Sequence, residues 1–189
     1  MLKIVHVPHP ILNTPAKPVT NIDEKIRKLV FEMEETLIAQ KDPPGVGLAA
    51  PQVGKNLALF IIKPTPKSPT KVFINPKIIK VDQRSKIKDQ KSEPKPKDLK
   101  LEGCLSIPRI WSPVRRGAKV LLEYQTLASS IPGMERKWFQ GFEAIIIQHE
   151  MDHLSGILFT QRSLEQNLPL YEEKNGELEK IESINFNTI

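Results

Sequence analysis

Two histidines and a glutamate have a spacing that suits a metal site. His149, Glu150 and His153 stand in the order H-E-x-x-H within residues 141–156, GFEAIIIQHEMDHLSG. On a helix, residues i and i+4 lie on one face, so both imidazoles can reach one metal ion, with Glu150 beside them as a proton carrier. The apolar run at 144–147 is long enough to bury the first turns of such a helix. A chance pair of polar helix residues is the competing explanation, and the rest of the chain must decide.

The single cysteine, Cys104, lies in residues 102–108 (EGCLSIP), where the pattern is compatible with a short strand. One cysteine excludes a disulfide within the chain. Two histidines and one thiolate would make a three-ligand site with an open fourth position, which is typical of catalytic metals. A nucleophilic cysteine–histidine enzyme is the alternative, but it needs a histidine free to act as a base. Because the histidines have ligand spacing, the metal interpretation is favoured.

A glycine-containing stretch, GVGLAAPQVG at 45–54, carries one polar side chain, Gln52, among apolar neighbours. Gly45 and Gly47 permit close approach of a ligand or of another backbone, although a plain tight turn explains them equally well. A buried amide must find a partner. Gln52 is therefore either a satisfied core residue or a donor aimed at a substrate oxygen.

The periodicity of apolar residues predicts short elements in an α+β arrangement. Residues 22–40 carry one apolar helical stripe, and Asn21 with Glu24 suggests a capping box at its start. Prolines at 8, 10, 15 and 18 predict an extended, turn-rich arm over 1–20. Further strands are predicted at 57–63, 72–75, 77–81, 117–126 and 134–140. The second and third are separated at Pro76, and the last two are joined by a turn near 129–133. Strands this short, without helices between them, favour antiparallel hairpins.

The bulk composition is that of an ordinary globular domain. The chain has 189 residues, 39% hydrophobic and 26% charged, and a net charge of +6. No apolar run approaches the roughly 20 residues of a membrane span, and the start of the sequence lacks the pattern of a secretory signal. We expect a cytoplasmic protein without a membrane partner, and the mild positive charge does not by itself imply nucleic acid.

Two segments differ from the rest in charge. Residues 84–100 hold seven basic and three acidic residues, a net charge of +4, and predict a surface loop. That loop is either a solvated excursion or a contact for RNA or the ribosome surface. In residues 166–189, glutamates outnumber lysines five to two, and we expect a frayed acidic tail. Residues 1–165 are predicted to form a single catalytic domain.

Three stretches in this order, GVGLAAPQ, EGCLS and QHEMDH, together resemble the signature motifs of peptide deformylases. The resemblance implies the deformylase fold, with short antiparallel sheets around a central metal-binding helix. It also implies a metallohydrolase that removes the formyl group from the N-terminal formyl-methionine of new polypeptides and releases formate. N-formyl-methionyl peptides are the expected substrates.

The resemblance also assigns roles to residues. Cys104, His149 and His153 match the metal ligands, usually of Fe²⁺, with Ni²⁺, Co²⁺ or Zn²⁺ able to substitute. Glu150 matches the catalytic acid and base. Gln52 and the backbone N–H of Leu105 match the groups that stabilise the oxyanion, and Gly47 matches a backbone position that pairs with the peptide.

Several further residues are expected around this centre. Val46, Ile145 and Ile146 are candidates for an unbranched apolar slot that takes the methionine side chain. Asp152 is expected behind the ligands, with Arg116 as its partner. Trp111 either lines the substrate groove or packs.

The sequence also departs from the family. The lysine-rich segment is longer than usual. The acidic tail differs from the basic C-terminal helix that some members use at the ribosome, so a transient ribosome association stays an open expectation.

Two other functions share some of these features. A zincin-like metallopeptidase also uses H-E-x-x-H, but it would need a third ligand downstream, and no histidine follows His153. It would also leave Cys104 idle. An RNA-binding or ribosome-surface module with a structural metal would need a fourth protein ligand, and none is evident.

Overall fold

The computed structural model describes residues 1–82, 101–128 and 134–182 and confirms the α+β class. Three α-helices are present in these ranges: α1 (Glu24–Ala39), α2 (Phe142–Leu154) and α3 (Phe159–Glu165). The strands are β1 (Gly47–Ala49), β2 (Leu59–Ile62), β3 (Lys71–Asp82), β4 (Glu102–Cys104), β5 (Ile107–Ser112), β6 (Lys119–Gln125), β7 (Glu135–Gln140), β8 (Tyr171–Lys174) and β9 (Glu177–Lys180). Among the helices so described, none has the length and apolar character needed to cross a membrane.

A five-stranded antiparallel sheet, in the order β1-β2-β3-β6-β7, lies between α1 and α2. Strand β2 explains why both faces of the sheet are covered, because all four of its side chains are buried. Alternate side chains of a strand point to opposite faces. Leu59 and Ile61 join the cluster that contains α1, whereas Phe60 and Ile62 join the cluster that contains α2. The unbroken apolar run of β2 thus places a helix on each face of the sheet.

Helix α1 is held by the apolar stripe that the sequence predicted. Its buried apolar residues recur at the spacing of one helical face: Ile26, Leu29, Val30, Met33 and Leu37. The predicted capping box was wrong. The cap is Asp23, whose side chain accepts hydrogen bonds from the backbone N–H groups of Lys25 and Ile26. An aspartate directly before the first helical residue reaches the free N–H groups of the first turn, which Asn21 lies too far back to do.

Strand β3 is one continuous strand, where the sequence predicted two. The break expected at Pro76 is instead an irregularity in its pairing with β6, between Ile74 and Lys77. Proline lacks a backbone N–H, and a bulge lets the strand continue past it. The β6–β7 hairpin is confirmed. The turn expected near 129–133 lies outside the described residues.

A second antiparallel sheet, in the order β4-β5-β8-β9, carries the cysteine. The single strand expected over 102–108 is in fact the start of a hairpin. Strand β4 ends at Cys104, Leu105 and Ser106 form the turn, and β5 begins at Ile107. Cys104 therefore stands at a strand end beside a tight turn. It packs with a third apolar cluster that includes Leu12, Ile107 and Phe159.

The prediction of a frayed tail was wrong for its described part. Strands β8 and β9 form a hairpin, and β8 pairs with β5 through Ile110–Glu172 and Trp111–Tyr171. Tyr171 and Leu170 are buried. The burial of these two side chains and the pairing with β5 attach an otherwise acidic segment to the sheet edge, which net charge alone did not reveal. The lysine-rich segment 84–100 lies outside the described residues.

Candidate metal centre and substrate cavity

Helix α2 is fixed to the body of the protein on two sides. Its apolar residues Ala144 and Ile147 pack on the five-stranded sheet. On another side, the Gln148 amide forms two hydrogen bonds with the backbone of Gly117. Its Oε1 accepts from the Gly117 N–H at 2.9 Å, and its Nε2 donates to the Gly117 carbonyl at 2.9 Å. A helix held in this way presents its remaining face with little freedom.

That face brings together the three predicted ligands. The ligand atoms of Cys104, His149 and His153 all lie within 4.8 Å of one another. The Sγ of Cys104 is 3.2 Å from Nε2 of His153. Cys104 is 5% exposed and His153 1% exposed. Helix spacing aligns the two imidazoles, and the β4–β5 turn supplies the thiol from a separate sheet.

The electrostatics of the three groups favour a thiolate. Burial acts to raise the pKa of the Cys104 thiol, but the charges and hydrogen bonds of His153 and His149 outweigh it and hold the pKa well below the ordinary value. Burial likewise acts to lower the pKa of His149, yet hydrogen bonds to Cys104 and Glu102 raise it well above the ordinary value. A divalent cation here would replace the protons that otherwise balance the thiolate, so the donor set fits a metal ion.

The geometry of these three groups bears on the zincin-like and structural-metal alternatives. Cys104 is not idle, because its sulfur stands against His153. Within the described residues, the group of side chains able to hold a metal has three members, and no fourth joins it. Three protein ligands would leave one position open, as catalytic sites require.

Glu102 orients the first histidine, a role that the sequence analysis missed. Its Oε2 accepts from Nδ1 of His149 at 3.1 Å, and its two oxygens accept from Nε and Nη2 of Arg116 at 2.8 and 3.0 Å. Burial acts to raise the pKa of Glu102, but the hydrogen bonds from His149 and Arg116 lower it below the ordinary value. A carboxylate on Nδ1 fixes the tautomer that leaves Nε2 free for a metal.

The predicted contact between Asp152 and Arg116 is confirmed. Nη1 of Arg116 donates to Oδ2 of Asp152 at 2.6 Å. Arg162 of α3, which the sequence did not single out, donates to the other oxygen, Oδ1, at 2.9 Å. Glu102, Arg116, Asp152 and Arg162 thus alternate in charge and connect β4, α2 and α3. The glutamate at the start of EGCLS could have suggested this network, whereas nothing in the sequence marked Arg162.

Glu150 lies beside the ligands with one free oxygen. It is 3% exposed, and its Oε2 has no hydrogen-bond partner among the described residues. Burial raises its pKa to about 7, although the nearby His149 and His153 act to lower it. Gly47 is packed so closely that a Cβ there would collide with the Glu150 carboxylate and lie 2.8 Å from the Ile146 side chain. A carboxyl group that titrates near neutrality can both accept and donate a proton.

Gln52 is held in a fixed orientation next to the thiol. Its Oε1 accepts from the N–H of Ala49 at 2.8 Å. Its Nε2 donates to the sulfur of Cys104 at 3.4 Å and to Oγ of Ser106 at 3.3 Å. The carbonyl end is thus anchored to β1, and the N–H groups are turned toward the thiol that the two histidines approach.

A cavity of about 340 Å³ opens in front of these groups. The predicted pocket residues Val46, Gly47, Ile145 and Ile146 all line it, and so do Gln52, Leu105, His149 and Glu150. Its remaining wall includes Leu101, Gly103, Trp111, Val114, Arg116 and Phe142. Strands β1 and β4, each at the edge of its sheet, both border the cavity. An elongated ligand could therefore lie between two strand edges with one end at Cys104 and Glu150.

Comparison with known proteins agrees with this geometry. The family model described as Polypeptide deformylase matches residues 1–168. A curated relative, the peptide deformylase of Dictyoglomus turgidum, is 37% identical over 174 residues, which cover 92% of this chain and 99% of the relative.

Two solved structures are similar in fold. The crystal structure of peptide deformylase from Thermotoga maritima has a TM-score of 0.71 at 33% identity and covers 86% of this chain and 97% of its own. The Met-Ala-Ser-bound class I type b peptide deformylase from Acinetobacter baumannii has a TM-score of 0.70 at 32% identity, with 85% and 97% covered.

Proposed function

The chain belongs to the polypeptide deformylase family, and from that premise we propose which of its residues carry out the reaction. It removes the formyl group from the N-terminal formyl-methionine of newly made polypeptides and releases formate. The observation that carries the assignment of residues is the meeting of Cys104, His149 and His153 beside the buried carboxyl group of Glu150.

Cys104, His149 and His153 hold a divalent metal ion. Such an ion supplies Lewis acidity, which polarises the formyl group and activates water at neutral pH. Fe²⁺ is the proposed ion, with Ni²⁺, Co²⁺ or Zn²⁺ able to substitute, because thiolate and imidazole suit metals of this kind. Glu102 supports the site by holding His149 through Nδ1.

Glu150 moves the proton. Its unpartnered Oε2 accepts a proton from water as the C–O bond to the formyl carbon forms. The same carboxyl group then donates that proton to the amide nitrogen as the C–N bond breaks. A pKa of about 7 suits both halves of this transfer.

Gln52 and the backbone N–H of Leu105 stabilise the developing oxyanion. The Gln52 amide already points its Nε2 toward the sulfur of Cys104, and Leu105 follows Cys104 in the β4–β5 turn. Loss of one such donor typically costs about 2.7–4 kcal/mol of transition-state stabilisation.

The formyl-peptide binds along the cavity. Val46, Ile145 and Ile146 form the apolar slot for the methionine side chain, and the edge strand β1 offers the backbone of Gly47 to the peptide. A relative from Acinetobacter baumannii is solved with Met-Ala-Ser bound, which supports a peptide as the ligand.

The assignment is tested with anaerobically purified protein and a formyl-Met tripeptide. We expect formate release in proportion to bound metal. Cys104→Ala should lose both metal and activity, whereas a Cys104→Ala protein that keeps its metal and cleaves internal peptide bonds would instead support a zincin-like peptidase. Bound metal in the wild-type protein without formate release would contradict the proposed function.

The setting of the reaction follows from its substrate. Newly made polypeptides begin at the ribosome, so we place the protein in the cytoplasm with residues 1–165 as its catalytic domain. A transient ribosome association through the lysine-rich segment 84–100 is the proposed partner contact. Cosedimentation with ribosomes that falls steeply with salt, and is lost on deletion of 86–97, would support it.

A further inference from the structure

Trp111 links the substrate cavity to a part of the chain that lies beyond the family match. The residue is in β5 and lines the cavity. Its Nε1 donates to Oε2 of Glu173 in β8 at 2.9 Å. The match to the family model ends at residue 168, whereas β8 and β9 span 171–180. A cavity wall is therefore anchored by a hairpin outside the matched residues.

The strand pairing explains how Glu173 reaches the indole. Trp111 pairs directly with Tyr171, and Glu173 follows Tyr171 by two residues on the same face of the sheet. A diagonal neighbour of this kind lies within reach of a long side chain. Tyr171 is buried and the backbone N–H of Ile181 donates to the Leu170 carbonyl at 2.9 Å, so the open end of the hairpin is held against the body of the protein.

On its other side the indole ring lies on the backbone beside the metal centre. Trp111 pairs with Gly103, and a Cβ on Gly103 would come within 2.7 Å of the ring. Only a glycine leaves room for the ring at this height above β4. Gly103 directly precedes Cys104. The ring therefore lies over the residue next to Cys104, a step of roughly 3.3 Å along the strand.

The ring occupies the cavity wall that the methionine slot does not use. The proposed slot residues Val46, Ile145 and Ile146 belong to the side of β1 and α2, whereas Trp111 belongs to the sheet that contains β4. A peptide whose formyl end is at Cys104 and whose methionine faces α2 must pass its following residues along the other wall. An indole face there offers apolar contact to their side chains.

We propose that the β8–β9 hairpin is part of the substrate site. Glu173 is a positioning residue that holds the Trp111 ring on Gly103. In that position the ring contacts the apolar side chains that follow formyl-methionine in the substrate. This inference rests on the proposed function and adds to it a preference for peptides with apolar residues after the methionine. A carboxylate acceptor fixes one orientation of a ring that apolar packing alone would leave free to tilt.

The test compares kcat and KM for formyl-Met-Leu-Leu and formyl-Met-Ala-Ala. Glu173→Ala should raise KM for the leucine peptide roughly fivefold or more, through lost apolar contact, with kcat per bound metal unchanged. Glu173→Gln keeps an acceptor oxygen and should restore KM. Glu172→Ala, on the opposite face of the same strand, is the matched control and should leave KM unchanged.

A second pair of variants separates positioning from mere stability. Trp111→Phe keeps a ring but loses the N–H donor, so adding Glu173→Ala to it should change KM no further. If the hairpin only stabilised the fold, Glu173→Ala would lower the melting temperature and leave KM unchanged. The losses of stability from the two substitutions would then simply add. That result would overturn the inference. A wild-type protein that releases no formate would overturn the proposed function itself, which distinguishes the two failures.

Discussion

Helices α1 and α2 pack on the same sheet from opposite sides, but they bury different kinds of residue. Helix α1 buries an apolar stripe, and Thr36 is its one buried polar residue. Helix α2 buries four polar side chains along with its apolar ones: Gln148, Glu150, Asp152 and His153. Both helices are well packed, so burial alone does not distinguish a helix that supports the fold from one that carries chemistry.

The difference lies in what compensates burial. Apolar area stabilises α1 directly, at about 25 cal/mol per Å² removed from water. The polar and charged groups of α2 lose hydration when buried and need partners. The backbone of Gly117 supplies them to Gln148, and Arg116 and Arg162 supply them to Asp152. Substitutions in α1 should therefore change stability, and substitutions around α2 should change metal binding and rate.

The largest effect is expected from Glu150→Gln on α2. The amide cannot take a proton from water, so kcat should fall by about 10²- to 10⁴-fold, the usual contribution of a general acid–base group. Metal content and the free energy of unfolding should stay near wild type, because the substitution is isosteric. Steady-state formate release with metal analysis measures both, and Glu35→Gln on the exposed face of α1 is the control. Retention of wild-type kcat would remove Glu150 from the mechanism.

The corresponding experiment on α1 is Leu37→Ala. Leu37 is fully buried, so the loss of its side chain should cost about 2–5 kcal/mol of unfolding free energy while kcat per bound metal stays unchanged. Urea titration gives the first quantity and the formate assay the second. The neighbouring Ile38 is 55% exposed, and Ile38→Ala should change stability by less than about 0.5 kcal/mol. Equal effects at the two positions would contradict the comparison.

Glu102→Gln tests whether the network behind α2 serves the metal. The neutral amide weakens the hold on His149 and Arg116, and metal affinity should fall about 10- to 100-fold. Competition with a chelator measures it. Glu165→Gln, which alters the partly exposed partner of Arg162, is the control and should leave metal affinity unchanged. An affinity unchanged in Glu102→Gln would mean that His149 needs no outer support.

The smallest effect is expected at the start of α1. Asp23→Ala removes a cap that accepts two backbone N–H groups and should cost about 1 kcal/mol of unfolding free energy. Asn21→Ala, at the cap that the sequence pattern favoured, should cost less than about 0.5 kcal/mol. Urea titrations of the two variants give the ranking, and the reverse order would restore the sequence-based prediction.

The same contrast explains what sequence analysis could predict. The apolar stripe of α1 depends on the local periodicity of the sequence, so the helix was predicted and only its N-cap was assigned to the wrong residue. The H-E-x-x-H spacing fixed which face of α2 holds both histidines. Glu102 and Arg162 were missed because their partners lie 47 and 10 residues away in the chain, and no local pattern records such a pairing.

By itself, the sequence determined the three motifs, the ligand types and the family, because these depend on residue identity at short spacing. The tertiary structure alone decided that Cys104 stands 3.2 Å from His153, that Glu102 contacts both His149 and Arg116, and that an acidic segment folds back to contact Trp111. Each of these contacts joins elements far apart in the chain, and each depends on the packing of two sheets around α2. Packing is a property of the whole fold, so it cannot be read from any one stretch.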